Sequence, residues 1–471
     1  MDKPLCSILE RIAVEEPEKP IIYDMLEDRI YTRAEFCQYV NQLSDYLRRH
    51  TNDEIVVCED NCTALAILYF AGILSGKTLI PVDPEKESSE IERIRKLHPY
   101  ASFWDKGTLP SIVCKLEYEL AEKKLSWMRA DLKKIFLITY TSGSTGTPKG
   151  VKHTAKNLFT SAYEFGNMME YGKNTIMGHC MPMTYMAGIL NTIVMPYILG
   201  GCIAILPRFS MKHAFFFWEY IKKCGVNALW LSPTMLRILY MLDRNAEMKS
   251  YFLAKDMKIS VGTAPLDRTL RDNFKTKYDI RLYQSYGLSE TLFVSTEIPE
   301  EKISKHTVGH TLPSVKLYCA DDGELQIDVP WMFLGYTNED TAAYMEGNRY
   351  LSGDLGQVDA EGNLVITGRK KELIVKGGYN INPRDIENIL LEEKGVTECA
   401  VISTPIHGEE MITCCYVADK EQSLAEINRE IITILGQHSK IDFLKKLKEL
   451  PKNLNGKIDK GAIKKLIGAA I

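Results

Sequence analysis

Within the stretch YTSGSTGTPKG at 140–150, Thr141, Ser142, Ser144 and Thr145 offer hydroxyls and Lys149 a fixed positive charge. Gly143 and Gly146 let backbone amides come close to a ligand. Such a set suits an anion. A Walker loop would need G-x-x-x-x-G-K-S/T, but Pro148 stands where the second glycine belongs and Gly150 where the hydroxyl belongs. The fingerprint G-x-G-x-x-G is absent from the loop as well, so a nicotinamide or flavin fold has no local support. A merely solvated Ser/Gly turn would not require the Pro-Lys-Gly ending. The expected chemistry is a phosphate cradle of another kind.

The loop resembles the signature of the adenylate-forming superfamily of acyl-CoA synthetases, aryl-CoA ligases, luciferases and peptide-synthetase adenylation domains. Further signatures follow in family order: GTAPL at 262–266, YGLSE at 286–290, GYTN at 335–338, SGDLG at 352–356, GRKKELIVKGGYNINP at 368–383 and NLNGKID at 453–459. They run from about Lys134 to Lys460, and the N-terminal region carries least of the resemblance. The resemblance implies that a carboxylate attacks the α-phosphate of ATP, releasing pyrophosphate and leaving an acyl-adenylate. The 140–150 loop would hold the β- and γ-phosphates.

By the same resemblance, Glu290 holds Mg2+ with Thr141 lining that site, and Asp354 accepts both ribose hydroxyls. Arg369 contacts the ribose and phosphates. Thr263, Ala264 and Pro265, with Gln284, Ser285, Tyr286 and Gly287, flank adenine, Tyr286 stacking on it. Lys457 bridges the substrate carboxylate and the α-phosphate, stabilising charge in the transition state. Taken singly, Glu290 would be a surface carboxylate, Asp354 a turn aspartate and Lys457 one more solvated lysine of a lysine-rich tail. Their motifs single them out. Lys371 falls at the family's hinge, dividing a large adenylation domain, 1–370, from a small one, 371–471, and a rotation there would withdraw Lys457 for thiol attack.

The segment CMPMTYMAGIL at 180–190 matches the region that shapes the acyl pocket. Amino-acid-activating members usually carry an aspartate in this region, and this segment has no acid. Tyr185 stands where acyl and aryl ligases often have histidine. Ala187, Gly188 and Gly262 are small, which is expected to leave room for a ring or an acyl chain and favours an aryl or medium-to-long acyl acid over acetate. The acceptor is expected to be coenzyme A. An acyl carrier protein with a phosphopantetheine arm is the alternative, and a catalytically silent nucleotide-binding protein is the rival from another class.

These residues need a frame of strands and helices. EIVVC, TALAILYFAGIL, TLIPV, SSEIERIRKL, IFLITY and the segments that follow alternate short apolar runs with amphipathic stretches. That rhythm predicts an α/β fold with parallel sheets flanked by helices. From 307 to 366 the texture changes to short strands with turns, and from 383 a small α+β unit is expected: a helix at 383–393, strands at 398–403 and 412–417, and a helix at 424–435. Thr32 followed by Glu35 predicts a capped helix start. The stretch 189–206, broken by Pro196 and Gly200–Gly201, reads as a core helix, a turn and a buried strand rather than a membrane span.

Charged residues make up 25% of the 471 residues and the net charge is -4, which disfavours disorder and a globally basic nucleic-acid binder. The acidic N-terminus lacks the features of a secretory signal, and the 12 cysteines show neither Cys-x-x-Cys nor zinc spacing. A cytoplasmic protein with reduced thiols is expected.

Overall fold

A computed structural model describes residues 3–116, 127–141, 148–243, 247–266, 268–299, 307–392, 395–406, 409–452 and 458–468. The βα rhythm becomes two large sheets. In a five-stranded sheet, Glu54–Cys58 lies parallel to Ser102–Trp104 and Thr78–Val82, which pairs in parallel with Ile135–Thr141. Ile135–Thr141 then turns back antiparallel onto Lys149–Thr154. The nine-stranded sheet has a parallel centre built from Leu282–Leu288, Lys258–Val261, Ala228–Leu231, Ile176–His179 and Cys202–Ile205.

Helix Thr63–Ser75 is apolar on all sides, and the residues from Leu65 to Ala71 are at most 1% exposed, as a helix without a polar face must be. It stops at Gly76, whose φ of 71° supplies the left-handed cap. Helix Arg33–His50 opens on the expected capping box, with Thr32 and Glu35 each accepting from the other's backbone amide. The stretch 189–206 folds as expected: helical from Met186 to Ile198 with a π turn at Leu190–Val194, a turn at Gly200–Gly201, then the buried strand Cys202–Ile205. Among the described residues no helix is long and apolar enough to cross a membrane.

One expectation needs adjustment, and one amphipathic segment divides. MKHAFFFWEYIKKC forms two helices, Met211–Ala214 and Phe217–Lys223. Phe217 is buried while Phe215 and Phe216 face outward, so the chain steps between them to bring one of three successive rings into the core. The strands near the C-terminus are longer than their apolar runs, at Val396–Ile406 and Glu409–Ala418, because the hairpin ladder continues through Pro405, Glu410 and Ile406.

The 307–366 region consists of short strands with turns as expected, and the strands pair antiparallel, with the turns of DDGELQI and DAEGN closing hairpins. Beyond it, the three-stranded sheet carries separate apolar clusters on its two faces. Cys414 packs in one with Ile386 and Ile427, and Cys415 in the other with Leu450 and Ile463. Adjacent cysteines on opposite faces are what a strand requires. None of the 12 cysteines, all of them among the described residues, is joined in a disulfide.

Candidate active site

The 140–150 stretch joins two antiparallel partners, Ile135–Thr141 and Lys149–Thr154. Thr141 lies opposite Lys149 and Tyr140 opposite Gly150, so the hydroxyl and the ammonium that bracket the loop are set by strand register. Ser142, Gly143, Ser144, Thr145 and Gly146 lie outside the described residues, as does Lys457. At the root of the loop, His98 Nε2 meets the Tyr140 hydroxyl at 2.7 Å while Nδ1 meets Glu54 at 2.8 Å.

The exit arm is stitched to GYTN. Thr337 N–H donates to Gly150 O at 2.8 Å, Asn338 Nδ2 donates to Pro148 O at 2.8 Å, and Gly150 N–H donates to Asn338 Oδ1 at 3.2 Å. A side chain at 150 would sit 2.8 Å from Thr337 Oγ1, which explains the glycine after the lysine. Lys149 Nζ reaches Glu339 at 2.6 Å and the Tyr344 hydroxyl at 2.5 Å. Burial works to lower the Lys149 pKa, but Glu339 and Tyr344 leave it raised, so the cation is secure.

Glu290 follows the strand Leu282–Leu288, and its Oε1 accepts from the Tyr336 hydroxyl at 2.7 Å. Tyr350 also bonds to Glu290, and the two phenols meet at 3.0 Å. Burial, with Glu290 beside it, pushes the Tyr336 phenol far up, so it remains a donor. The Tyr336 ring also lies under the Lys149 ammonium at 5.3 Å, linking carboxylate and cation. Burial and the nearby Glu290 carboxylate likewise push the half-buried Tyr185 up.

Asp354 is 2% exposed on the strand Arg349–Val358, opposite Arg369 in the ladder. The Arg369 guanidinium sits 2.7 Å from Asp354, and the Tyr286 hydroxyl donates to the other carboxylate oxygen at 2.7 Å. Burial works to lower the Arg369 pKa, but surrounding acids, Asp354 first and Glu290 among them, leave it raised. Gln284 and Ser285 are buried behind Tyr286, and Gly287 has no room for a side chain because Leu292 O would lie 2.1 Å away. Thr263 adopts a left-handed φ of 69° with its hydroxyl buried and unpartnered, a strained position beside Ala264 and Pro265.

The two glycines expected to give the acyl group room are filled by the protein itself. A Cβ on Gly188 would meet Pro182 O at 2.1 Å, and one on Gly262 would meet the Trp230 ring at 2.5 Å. Close packing thus already requires glycine at both positions. Ala187 is half-buried and packs against the main core.

The segment 180–190 is fixed from behind by residues the sequence did not flag. Asn61 Nδ2 donates to Met181 O at 2.7 Å, Asn61 Oδ1 accepts from Met183 N–H at 2.8 Å, and the Tyr69 hydroxyl donates to Met183 O at 2.6 Å. His179 Nε2 lies 3.1 Å from Asn61 Nδ2 and Nδ1 lies 2.7 Å from Thr192 Oγ1, which itself donates to Gly188 O. Asn61 and Thr192 therefore fix the Nδ1–H tautomer.

Burial pushes the His179 imidazole down to about 3. As pH falls from 7 to 5 the unfolded chain takes up this proton and the folded one does not. Stability should therefore drop by about 2 kcal/mol from this group alone. Urea unfolding at the two pH values measures the drop, and an NMR titration should find the His179 imidazole still neutral at pH 5, together with that of His153, which burial pushes down to about 4. A histidine protonating near pH 6.5 at this position would contradict it.

Lys371 lies in the turn Lys370–Glu372. Lys370 is held by Asp322 at 2.6 Å and Glu324 at 2.8 Å, whereas Glu372 is held by Lys460 at 2.8 Å, which also reaches Glu387 at 2.9 Å.

Residues 104–337 match the model of the AMP-binding enzyme family and residues 385–457 that of the AMP-binding enzyme C-terminal domain. The chain belongs to the AMP-binding enzyme family. It is 27% identical over 365 residues to a malonate–CoA ligase of Arabidopsis thaliana, an alignment covering 70% of this chain and 60% of the relative. The chain thus spans about 60% of the length of the first curated relatives it matches. ATP-bound MatB from Rhodopseudomonas palustris superposes with a TM-score of 0.87 at 19% identity, covering 98% of each chain. The o-succinylbenzoate CoA synthetase MenE of Bacillus subtilis, in complex with its acyl-adenylate intermediate, superposes at 0.81 with 23% identity over 97% of each. These superpositions include the N-terminal residues that lie ahead of both family models.

Proposed function

We propose that this member of the AMP-binding enzyme family is an AMP-forming acid–thiol ligase acting on an aryl or medium-to-long acyl acid, with coenzyme A as acceptor. One observation carries the reading. Lys149, Tyr336 and Glu290 form one chain of contacts and Arg369, Asp354 and Tyr286 a second, with Glu290 among the acids that hold the Arg369 pKa up. A cation, a carboxylate suited to a metal and a carboxylate suited to a diol support the binding of a nucleoside triphosphate.

In the first half-reaction a substrate carboxylate oxygen attacks the α-phosphorus, and the bond to the β-phosphate oxygen breaks. The loop with Lys149 receives the leaving pyrophosphate, while Asp354 and Arg369 hold the ribose and Lys457 neutralises charge at the α-phosphate. In the second, a thiolate sulfur attacks the acyl carbon and AMP departs with the electron pair. Lys371 serves as the pivot between a body ending at residue 370 and a smaller domain from 371.

Among the described residues no cluster of three or more His, Cys, Asp or Glu side chains could cage a metal. A single carboxylate such as Glu290 fits Mg2+, which takes one or two protein oxygens with the remainder from phosphate and water. Bound there beside Thr141, the ion would supply charge neutralisation for the pyrophosphate.

An apolar acid is supported by the acid-free, methionine-rich lining segment, with Met181, Met183 and Met186 buried. The test is acid-dependent exchange of labelled pyrophosphate into ATP across a panel of aryl, acyl and amino acids. Thiol consumption is then followed with coenzyme A and with a phosphopantetheinylated carrier protein. Exchange with aryl or acyl acids is expected, followed by thioester formation on coenzyme A. Exchange with amino acids alone would overturn the substrate class, and ATP binding with no exchange would favour a silent nucleotide-binding protein.

A further inference from the structure

Lys149 Nζ, Glu339 Oε2 and the Tyr344 hydroxyl form a closed triangle. Nζ lies 2.6 Å from the carboxylate and 2.5 Å from the phenol, which donates to the same Oε2 at 2.6 Å. The Tyr344 ring also lies 4.2 Å from Nζ. The side chains of Lys149 and Glu339 are 11% and 21% exposed, so water screens the pair only in part.

The carboxylate is built into place. Thr337 and Asn338, immediately before Glu339, are bonded to Gly150 and Pro148 of the loop's exit arm. Asp340 caps the turn Thr341–Tyr344 that brings the phenol back over Lys149. The anion facing the loop's cation is thus positioned by the backbone that anchors the loop itself.

An ammonium has three protons, and this triangle engages two of them. A phosphate oxygen binding Lys149 must share it with, or displace, a carboxylate whose charge has the same sign. We propose that Glu339, steadied by Tyr344, is the resident counter-ion of Lys149 and exchanges with phosphate there. It limits how tightly the site holds pyrophosphate, and so favours release of that product. The inference rests on the reading of the 140–150 loop as the phosphate site.

Calorimetric titration of magnesium pyrophosphate and of ATP into the full chain separates the two ideas. Glu339→Gln is expected to bind pyrophosphate about tenfold more tightly than wild type, because a like charge is removed a few ångströms from the ligand. Tyr344→Phe should shift affinity the same way by less, and the gain should vanish in Lys149→Gln/Glu339→Gln. A gain in affinity is not an effect of damaged packing. Unchanged or weaker pyrophosphate binding by folded Glu339→Gln, or by Tyr344→Phe should the first variant not fold, would overturn the counter-ion role. Wild-type affinity for both ligands in Lys149→Gln would instead sink the phosphate-loop reading.

Discussion

Lys457→Ala is expected to lower acid-dependent pyrophosphate exchange by about 10²–10³-fold, the usual cost of removing one preorganised group that meets charge in a transition state. Two anions meet at the α-phosphate, so the group's benefit is largest as charge builds there. The residues beside Lys457 are well held. A bridge joins Lys452 to Ile458, Asp459 N–H donates to Pro451 O at 2.8 Å, and Lys460 is clasped between Glu372 and Glu387. On the proposed reading Lys457 serves adenylation and not the thiol step. Conversion of a chemically prepared acyl-adenylate to thioester should therefore survive in the variant. Equal loss of both half-reactions would place Lys457 in the fold or in binding instead.

Arg271→Met should cost about 3–5 kcal/mol of folding stability, the penalty for stranding a buried charge. Glu297 is 3% exposed, and Oε2 is held by Arg271 at 2.8 Å and by Gln284 N–H at 2.7 Å. Its other oxygen has no hydrogen-bond partner, so it depends heavily on the guanidinium. Arg271 also donates to Leu282 O, bracing the strand that carries Gln284, Ser285 and Tyr286. Urea unfolding measures the loss, and Arg271→Met/Glu297→Leu should recover most of it, since an apolar pair leaves no stranded charge. A loss below about 1 kcal/mol would mean that water reaches the carboxylate.

Much of the frame was legible because it is local. The Thr32 capping box, the hairpin turns and the break at Gly200–Gly201 are each written within a few residues. The opposite faces of Cys414 and Cys415 follow from strand period alone. The motif residues Thr141, Lys149, Glu290, Asp354 and Arg369 could be picked out, but their partners could not. Glu339 meets Lys149 across 190 positions of chain, and Asn61 reaches His179 across 118. No spacing rule spans such distances. The packing demand at Gly188 and Gly262 was hidden for a related reason, since a glycine's sequence does not say that backbone or an indole occupies the space its Cβ would take.

The ion pairs around residue 371 carry a mechanical consequence. Lys370 is moored to the antiparallel hairpin by Asp322 and Glu324, and two positions later Glu372 is moored to Lys460 of the C-terminal helix, which also holds Glu387. A reorientation that kept both moorings would have almost nothing to turn except the torsions beside Lys371. On the proposed hinge reading the linkage would be closer to a swivel pin than to a flexible tether, with few intermediate poses and an axis set by one residue's backbone.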